Sequence, residues 1–433
     1  MESTVVEKYS ALREKIKGLQ IRGLEGYDIS SAIAIQIWKA VTMSKRDIVL
    51  RTFGLLINEK LAIREDIDLR SKKTALLYVE PVPMREDNIQ IFENGVSFLE
   101  PCNHIRFELI GTRSVKWLFR KIPCFIRSVV KLPKLPFVFR FYFAASVAVV
   151  YEVVSKCNNS NIMKETKELL LFQDHEMMQN IAVQYIHNEN GIAISMQHGQ
   201  RVFRKLDADY MAFDNFVSDY TLLWNKFSQS QYIKAGYNKS RLPVVGSTKY
   251  AKSDIETYLQ KKCRRTEPRN LTIGLILNAP SQFGANEIAA HLLQWSVNIS
   301  DKVGCKVIAK IHPTDRKEKY FDYAEKGIQF VDPSMSMQDF SELISLGVGH
   351  ASGALVDLII MNVPVFLYEN EISFPLDLPK SCKFRNYPEM EKCVIDTYGE
   401  IKSGELSFSD VRSIYYEENA VEKHKKFFEL IGK

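Results

Sequence analysis

The sequence has little with which to build a covalent or metal scaffold. Seven cysteines are scattered through 433 residues (Cys102, Cys124, Cys157, Cys263, Cys305, Cys382, Cys393), an odd number with no CxxC pair. That excludes a disulfide framework and a zinc ribbon and fits reduced thiols in a cytoplasm. No two histidines have HxxxH spacing, so metal ligation by His198, His312 or His350 is not expected. A GxSxG elbow, a Walker loop and a GxGxxG turn are all missing. Their absence disfavours a serine hydrolase, an ATPase and a dinucleotide enzyme. The longest apolar run, Phe141 to Tyr151, has eleven residues, short of the ~20 that span a bilayer. The N-terminal MESTVVEKYSALREKIKG is too charged for a secretory signal. Repeats and low-complexity tracts are also missing.

What is present is ordinary globular material, 46% hydrophobic and 25% charged. It excludes a disordered tail, a collagen-like fibre and a polytopic membrane protein. At ~100–200 residues per domain, the length implies two or three domains. The formal net charge of +6 is unevenly placed: residues 1–250 hold 35 basic and 26 acidic side chains, residues 251–433 hold 23 and 26. From Leu109 to Tyr151 no acid occurs, while Arg113, Lys116, Arg120, Lys121, Arg127, Lys131, Lys134 and Arg140 do.

Short apolar runs alternate with helical patterns in both halves. Lys73–Glu80, Glu168–Phe172, Ile192–Met196, Tyr220–Trp224 and Leu242–Val245 read as strands of the first half. A helix over His175–His187, capped by Asp174 and stopped by Asn188-Glu189-Asn190-Gly191, links two of them. In the second half the strands are Leu271–Leu277, Lys306–Ile311, Ile328–Val331, Leu346–Gly349 and Val363–Tyr368. Helices over Glu287–Val303, Met337–Leu343 and from Ser352 to Met361 lie between them. The pattern predicts an α/β protein with two Rossmann-like parallel-sheet domains facing a cleft. The expected division is 1–250, a polar linker at 251–270, and 271–433, its last helix a candidate to pack back on the first domain.

Ligands of such sheets bind beyond the carboxyl ends of strands, and the notable polar residues fall there. His198 follows one strand, His312 another, and Ser352 lies between a strand and a helix, flanked by Gly347, Gly349 and Gly353. Small residues would let a ligand approach the backbone, and free N–H groups at a helix start would favour an anion. With Lys310 on the strand before His312, these residues describe a phosphate or diphosphate clamp. A plain helix cap at Ser352 and hydrogen-bonded structural histidines are the simpler alternatives, and His350 fits a loop role.

The blocks IAISMQHGQ, SDYTLLWN and KAGYNKSRLPVVGS, then KVIAKIHPTD and GVGHASGALVDLIIMNVPVFLY, resemble bacterial surface-polysaccharide transferases of the GT-B fold, of capsule, lipopolysaccharide and teichoic-acid type. The resemblance covers about Glu168 to Tyr368. It implies a metal-independent glycosyltransferase that needs no cofactor, because the nucleotide-activated donor (a CMP-sugar foremost) is itself the substrate. It also admits a CDP-polyol phosphotransferase of teichoic-acid type, a nucleotide-sugar epimerase, or a non-enzymatic membrane-associated assembly factor. By position, Lys310, His312, Pro313, Ser352 and Gly353 would serve the donor phosphates, and Asp357, where the group often has Glu, would be a shorter ribose ligand or merely a helix residue. His198 would face the cleft from the acceptor domain, either as general base or as a second donor to phosphate, with Asp174 and Glu176 as further catalytic candidates, Asp174 being alternatively a plain N-cap.

The acid-free stretch interleaves its cations with Trp117, Phe119, Phe125, Phe137, Phe139, Phe141, Tyr142 and Phe143. Pro123, Pro133 and Pro136 argue against one long helix there. Without an RNA-binding signature, the composition points to an anionic membrane surface carrying a lipid-linked glycan acceptor, with a solvated face over a core as the alternative. The expected location is cytoplasmic, peripheral at the inner face of the cell membrane, near other polysaccharide-assembly enzymes and without nucleic acid.

Overall fold

The computed structural model describes residues 4–66, 76–80, 91–92, 94–95, 97–99, 103–111, 118–132, 135–204, 208–249, 255, 271–280, 284–403, 405 and 408–431. The chain forms two compact units: Met1–Leu223 with Ser228–Lys249 and Val421–Lys433, and Trp224–Phe227 with Tyr250–Ala420. Nearly all of the expected linker at 251–270 lies outside the described residues.

The first unit is built on a six-stranded sheet in the order β1-β3-β2-β4-β5-β6. The strands are β1 (Glu59–Asp66), β2 (Leu76–Glu80), β3 (Asn103–Gly111), β4 (Glu168–Leu171), β5 (Ile192–Met196) and β6 (Tyr220–Leu222). All neighbours run parallel except β1, which joins β3 antiparallel. Sequence alone did not suggest β1, because the charges at both its ends leave only Leu61-Ala62-Ile63 as an apolar run. Leu242–Val245, expected as a strand, contributes only a single bridge from Val244 to Leu223. Leu169, Leu170, Leu171, Ala193 and Ile194 are fully buried, as continuous apolar runs in a sheet covered on both faces should be.

The helices used below are α1 (Val5–Ile16), α2 (Ala34–Thr42), α3 (Lys45–Phe53), α4 (Leu118–Lys131), α5 (Phe137–Asn159) and α6 (Met177–Asn188). The apolar run at 141–151 belongs to α5, whose 23 residues are long and apolar enough to cross a bilayer. Instead, Tyr142 through Val150 are buried against α4, α6 and the N-terminal helices. Fully burying each such side chain contributes about 1.5–3 kcal/mol, which explains why the helix lies at the centre of the core. Pro136 precedes α5 as its N-cap, whereas Pro123 sits inside α4 without breaking it. The one hydrogen bond lost there is offset by the buried Cys124, Ser128 and Leu132.

The second unit holds an all-parallel sheet in the order β12-β11-β10-β7-β8-β9. Its strands are β7 (Thr272–Ile276), β8 (Lys306–Lys310), β9 (Gln329–Phe330), β10 (Leu346–Gly349), β11 (Val365–Tyr368) and β12 (Lys383–Phe384). Helices α7 (Ala285–Val303) and α8 (Ala354–Ile360) connect strands, and α9 (Ala420–Ile431) ends the described chain. Reading outward from β7, the chain builds β8 and β9 on one side and then β10 to β12 on the other. This is a doubly wound sheet whose topological switch point lies between β7 and β10. Phe427 of α9 meets Tyr220, and Phe428 meets Phe98, within the first unit.

Candidate functional site

In the first unit, the chain leaving β4 and the Gln197-His198-Gly199 turn leaving β5 line a cavity of about 20 Å³ with Asp174, His175, Ser195, Arg201, Thr221, Ser228 and Tyr232. Gln197 fixes the turn: its Nε2 donates to the Gly199 carbonyl at 2.9 Å and to Ser228 Oγ at 2.9 Å. Gln200 Nε2 donates to the same hydroxyl oxygen at 2.8 Å, using its second lone pair. His198 Nδ1 lies 3.0 Å from the Phe172 carbonyl oxygen. A carbonyl only accepts, so Nδ1 carries the proton and Nε2 is the basic nitrogen of the neutral ring.

The acids around His198 differ from expectation. Asp174 does not cap the next helix. That helix starts at Met177 with Glu176 at its N-cap and no side-chain cap bond. Asp174 Oδ2 instead accepts from the backbone N–H groups of Val217 at 2.9 Å and Ser218 at 2.8 Å. It therefore anchors the segment before β6. Burial pushes its carboxyl up, against the pull of those bonds. Glu176 is also raised by burial, opposed by Lys39 of α2 and by Arg201. His175 is held well below the ordinary 6.5, by burial first and then by the charges of Arg201 and His198. Arg201, three residues beyond His198, was not singled out from the sequence; a cation within QHGQR was the available signal.

In the second unit the switch point carries its own polar cluster. Asn278, just past β7, accepts the Ala351 N–H at 3.1 Å through Oδ1 and donates through Nδ2 to His350 Nδ1 at 3.0 Å. His350 Nε2 must then donate to Asn370 Oδ1, 2.8 Å away. His350 is 1% exposed and ties the ends of β7, β10 and β11 together, which is a structural role. Asn278 was missed by sequence reading, although a polar residue directly after a buried strand was its signal.

Ser352 Oγ accepts from the Ala354 N–H at 3.3 Å, leaving its own hydroxyl hydrogen to donate. Gly353, not Ser352, is the N-cap of α8. Gly347 and Gly349 do not open the backbone to a ligand. A Cβ at Gly347 would lie 2.5 Å from Leu358 Cδ1, and one at Gly349 would lie 2.9 Å from Leu355 Cδ2. They let α8 pack close on β10. Asp357 is buried on α8.

His312 follows β8, next to β7 in the sheet. Its Nδ1 accepts from the Thr314 backbone N–H at 3.2 Å, with Thr314 Oγ1 at 2.8 Å. A backbone N–H only donates, so Nδ1 is unprotonated and the neutral ring carries its proton on Nε2. Exposed Pro313 separates the two residues and shapes this turn. Lys310 departs from expectation: its ammonium donates to the carbonyls of Pro333 at 2.8 Å and Met335 at 2.6 Å. Burial lowers its pKa, opposed by Asp332. It serves as a strut for that loop more than as a phosphate ligand. A wider pocket of about 720 Å³ by β11 and β12 holds Lys383 and Arg385, but both pair with Glu369.

Of the eight cations expected on a surface, Arg113, Lys116 and Lys134 lie outside the described residues. Lys121 is a correction. It is 1% exposed, 3.1 Å from Glu152 of α5, and donates to the Leu55 carbonyl at 2.9 Å. Its spacing on α4 points it inward. Arg120, Arg127 and Lys131 are exposed, and Arg140 is half-buried.

No protein-family model and no curated protein matches this sequence. Among solved structures, the chain is similar to UDP-GlcNAc 2-epimerase from Neisseria meningitidis bound to UDP-GlcNAc, at 9% identity and a TM-score of 0.48, covering 83% of this chain and 99% of that one. The UDP-GlcNAc 2-epimerase of Methanocaldococcus jannaschii, in complex with UDP-GlcNAc and UDP, gives 12% identity and 0.48 over 83% and 99% of the two chains. A variant of the wall teichoic acid polymerase TagF gives 11% and 0.45 over 94% and 98%.

Proposed function

We propose that this protein is a nucleotide-dependent transferase of the GT-B type, moving a sugar from an activated donor onto a bacterial surface glycan carried on a lipid. The observation that carries this reading is the opposite protonation of two strand-end histidines. His198 presents a basic Nε2, suited to taking a proton from an acceptor hydroxyl. His312 presents an Nε2–H, suited to donating to a phosphate oxygen. As the bond from sugar carbon to phosphate oxygen breaks, its electron pair goes to the nucleotide phosphate, and the acceptor oxygen forms the new bond. His198 takes the acceptor proton. His312 and the Ser352 hydroxyl, beside the switch point, stabilise the leaving charge.

Transfer of a polyol phosphate from a CDP-alcohol would use the same two groups, so the nucleotide and the product decide between them. Thermal-shift and calorimetric titration with CMP, CDP, UDP and GDP should show one preferred nucleotide, weakened in His312→Ala and Ser352→Ala. Turnover in His198→Ala should fall about 100- to 10,000-fold, the usual contribution of a general base. Absence of binding by every nucleotide, or near-wild-type turnover in both histidine variants, would overturn the reading.

A further inference from the structure

Exposed large apolar side chains are not spread evenly over the described residues. Eight of the sixteen fall in two short stretches: Val49, Leu50, Phe53 and Ile57 around the end of α3, and Phe119, Ile126, Val130 and Phe137 along α4 and the start of α5. The segments that carry them touch on their inner side, where buried Lys121 of α4 reaches the Leu55 carbonyl just after α3.

Helix α4 explains the pattern. Lys121, Cys124 and Ser128 face inward and are buried. Phe119, Ile126 and Val130 stand at i, i+7 and i+11, which puts them within about 40° of one another on a 3.6-residue helix and opposite the buried stripe. They are 72%, 54% and 79% exposed. Folding of this unit does not account for a second apolar stripe pointing outward. Arg120, Arg127 and Lys131 form the stripe beside it, all exposed, and α4 contains no acid. Lys45 and Arg46 are exposed on α3.

We infer that this face docks on an anionic lipid bilayer, with Phe119, Ile126, Val130 and their neighbours from the end of α3 entering the headgroup–acyl boundary and the flanking cations meeting lipid phosphates. A helix lying in the interface needs this combination of large apolar groups at its centre and cations at its margin. Charge selects the occupant. A second copy of the chain would set the same cations against each other across a two-fold axis, and a nucleic acid would meet apolar groups where phosphates need cations. The inference deepens the membrane-linked acceptor proposed above, but binding to lipid does not require transfer.

Flotation of the full-length protein with phosphatidylcholine vesicles, with and without phosphatidylglycerol, tests it. Binding should require the anionic lipid and weaken as salt rises. The double variant Phe119→Ser/Val130→Ser should bind at least about 10-fold less, and Arg120→Glu about 5-fold less or weaker. Because these side chains are exposed, thermal unfolding and nucleotide binding should stay as in the parent. That separates failed docking from a failed fold or a failed donor site. Anionic-vesicle binding unchanged by Phe119→Ser/Val130→Ser would overturn the proposal. So would indifference to anionic lipid, or a lipid-free dimer that the same variant dissolves.

Discussion

At His198 the Phe172 carbonyl accepts from Nδ1, and at His312 the Thr314 N–H donates to it. These contacts predict which substitutions keep function. A glutamine amide nitrogen reaches about as far as Nε2 and donates, but it is not a base near neutral pH. His312→Gln should therefore bind nucleotide within about 10-fold of the parent, where His312→Ala loses more. His198→Gln should be as inactive as His198→Ala. Equal rescue at both positions, measured as KM and kcat, would show that the tautomers are not distinguished. His175 sets a pH dependence. Its folded pKa is depressed below 6.5, chiefly by burial, so the unfolded chain takes up the proton first. The stability it contributes is present above about pH 6.5 and is lost as pH falls below it. The thermal midpoint should drop on acidification through that range, and His175→Gln should flatten the drop. An identical slope in the variant would assign it to other groups.

Between elements, α8 packs closely on β10. A methyl at position 349 would press on Leu355 and come 3.3 Å from the Ile276 carbonyl oxygen. Gly349→Ala should cost about 1–3 kcal/mol through overpacking and weaken nucleotide binding, because Ser352 moves with the helix. Gly353→Ala meets nothing within 4 Å and should be nearly silent in the same melts. On the other unit, α4 is held to α5 by Lys121 and Glu152, the lysine buried. Lys121→Ala should destabilise by about 3–5 kcal/mol, since it leaves Glu152 with an uncompensated charge, whereas Lys121→Met/Glu152→Leu should recover most of the loss in urea unfolding. A single variant no worse than the pair would mean that the ion pair contributes little.

Across the whole molecule, each unit has its own sheet and core, and the candidate groups belong to different units. Hydrogen exchange with the preferred nucleotide should therefore show protection concentrated just past β7, β8 and β10, at residues 277–280, 311–316 and 350–356. Protection confined to the ends of β4 and β5 would move the donor to the first unit. By itself the sequence determined the alternation of strands and helices and the rule that polar residues of interest follow strands. Buried parallel strands need uninterrupted apolar runs such as Leu169–Leu171, and the chain turns polar where it leaves them, at His198, His312 and Ser352. Tertiary structure decided what depends on distant partners. Sheet order put the switch point between β7 and β10, where Asn278 holds His350 and the Ala351 N–H next to Ser352. A carbonyl from β4's end set one histidine's proton, while Lys310 and Lys121 were drawn to carbonyls far along the chain. Charge and residue type are written locally, but hydrogen-bond partners and burial arise only when segments separated in sequence meet.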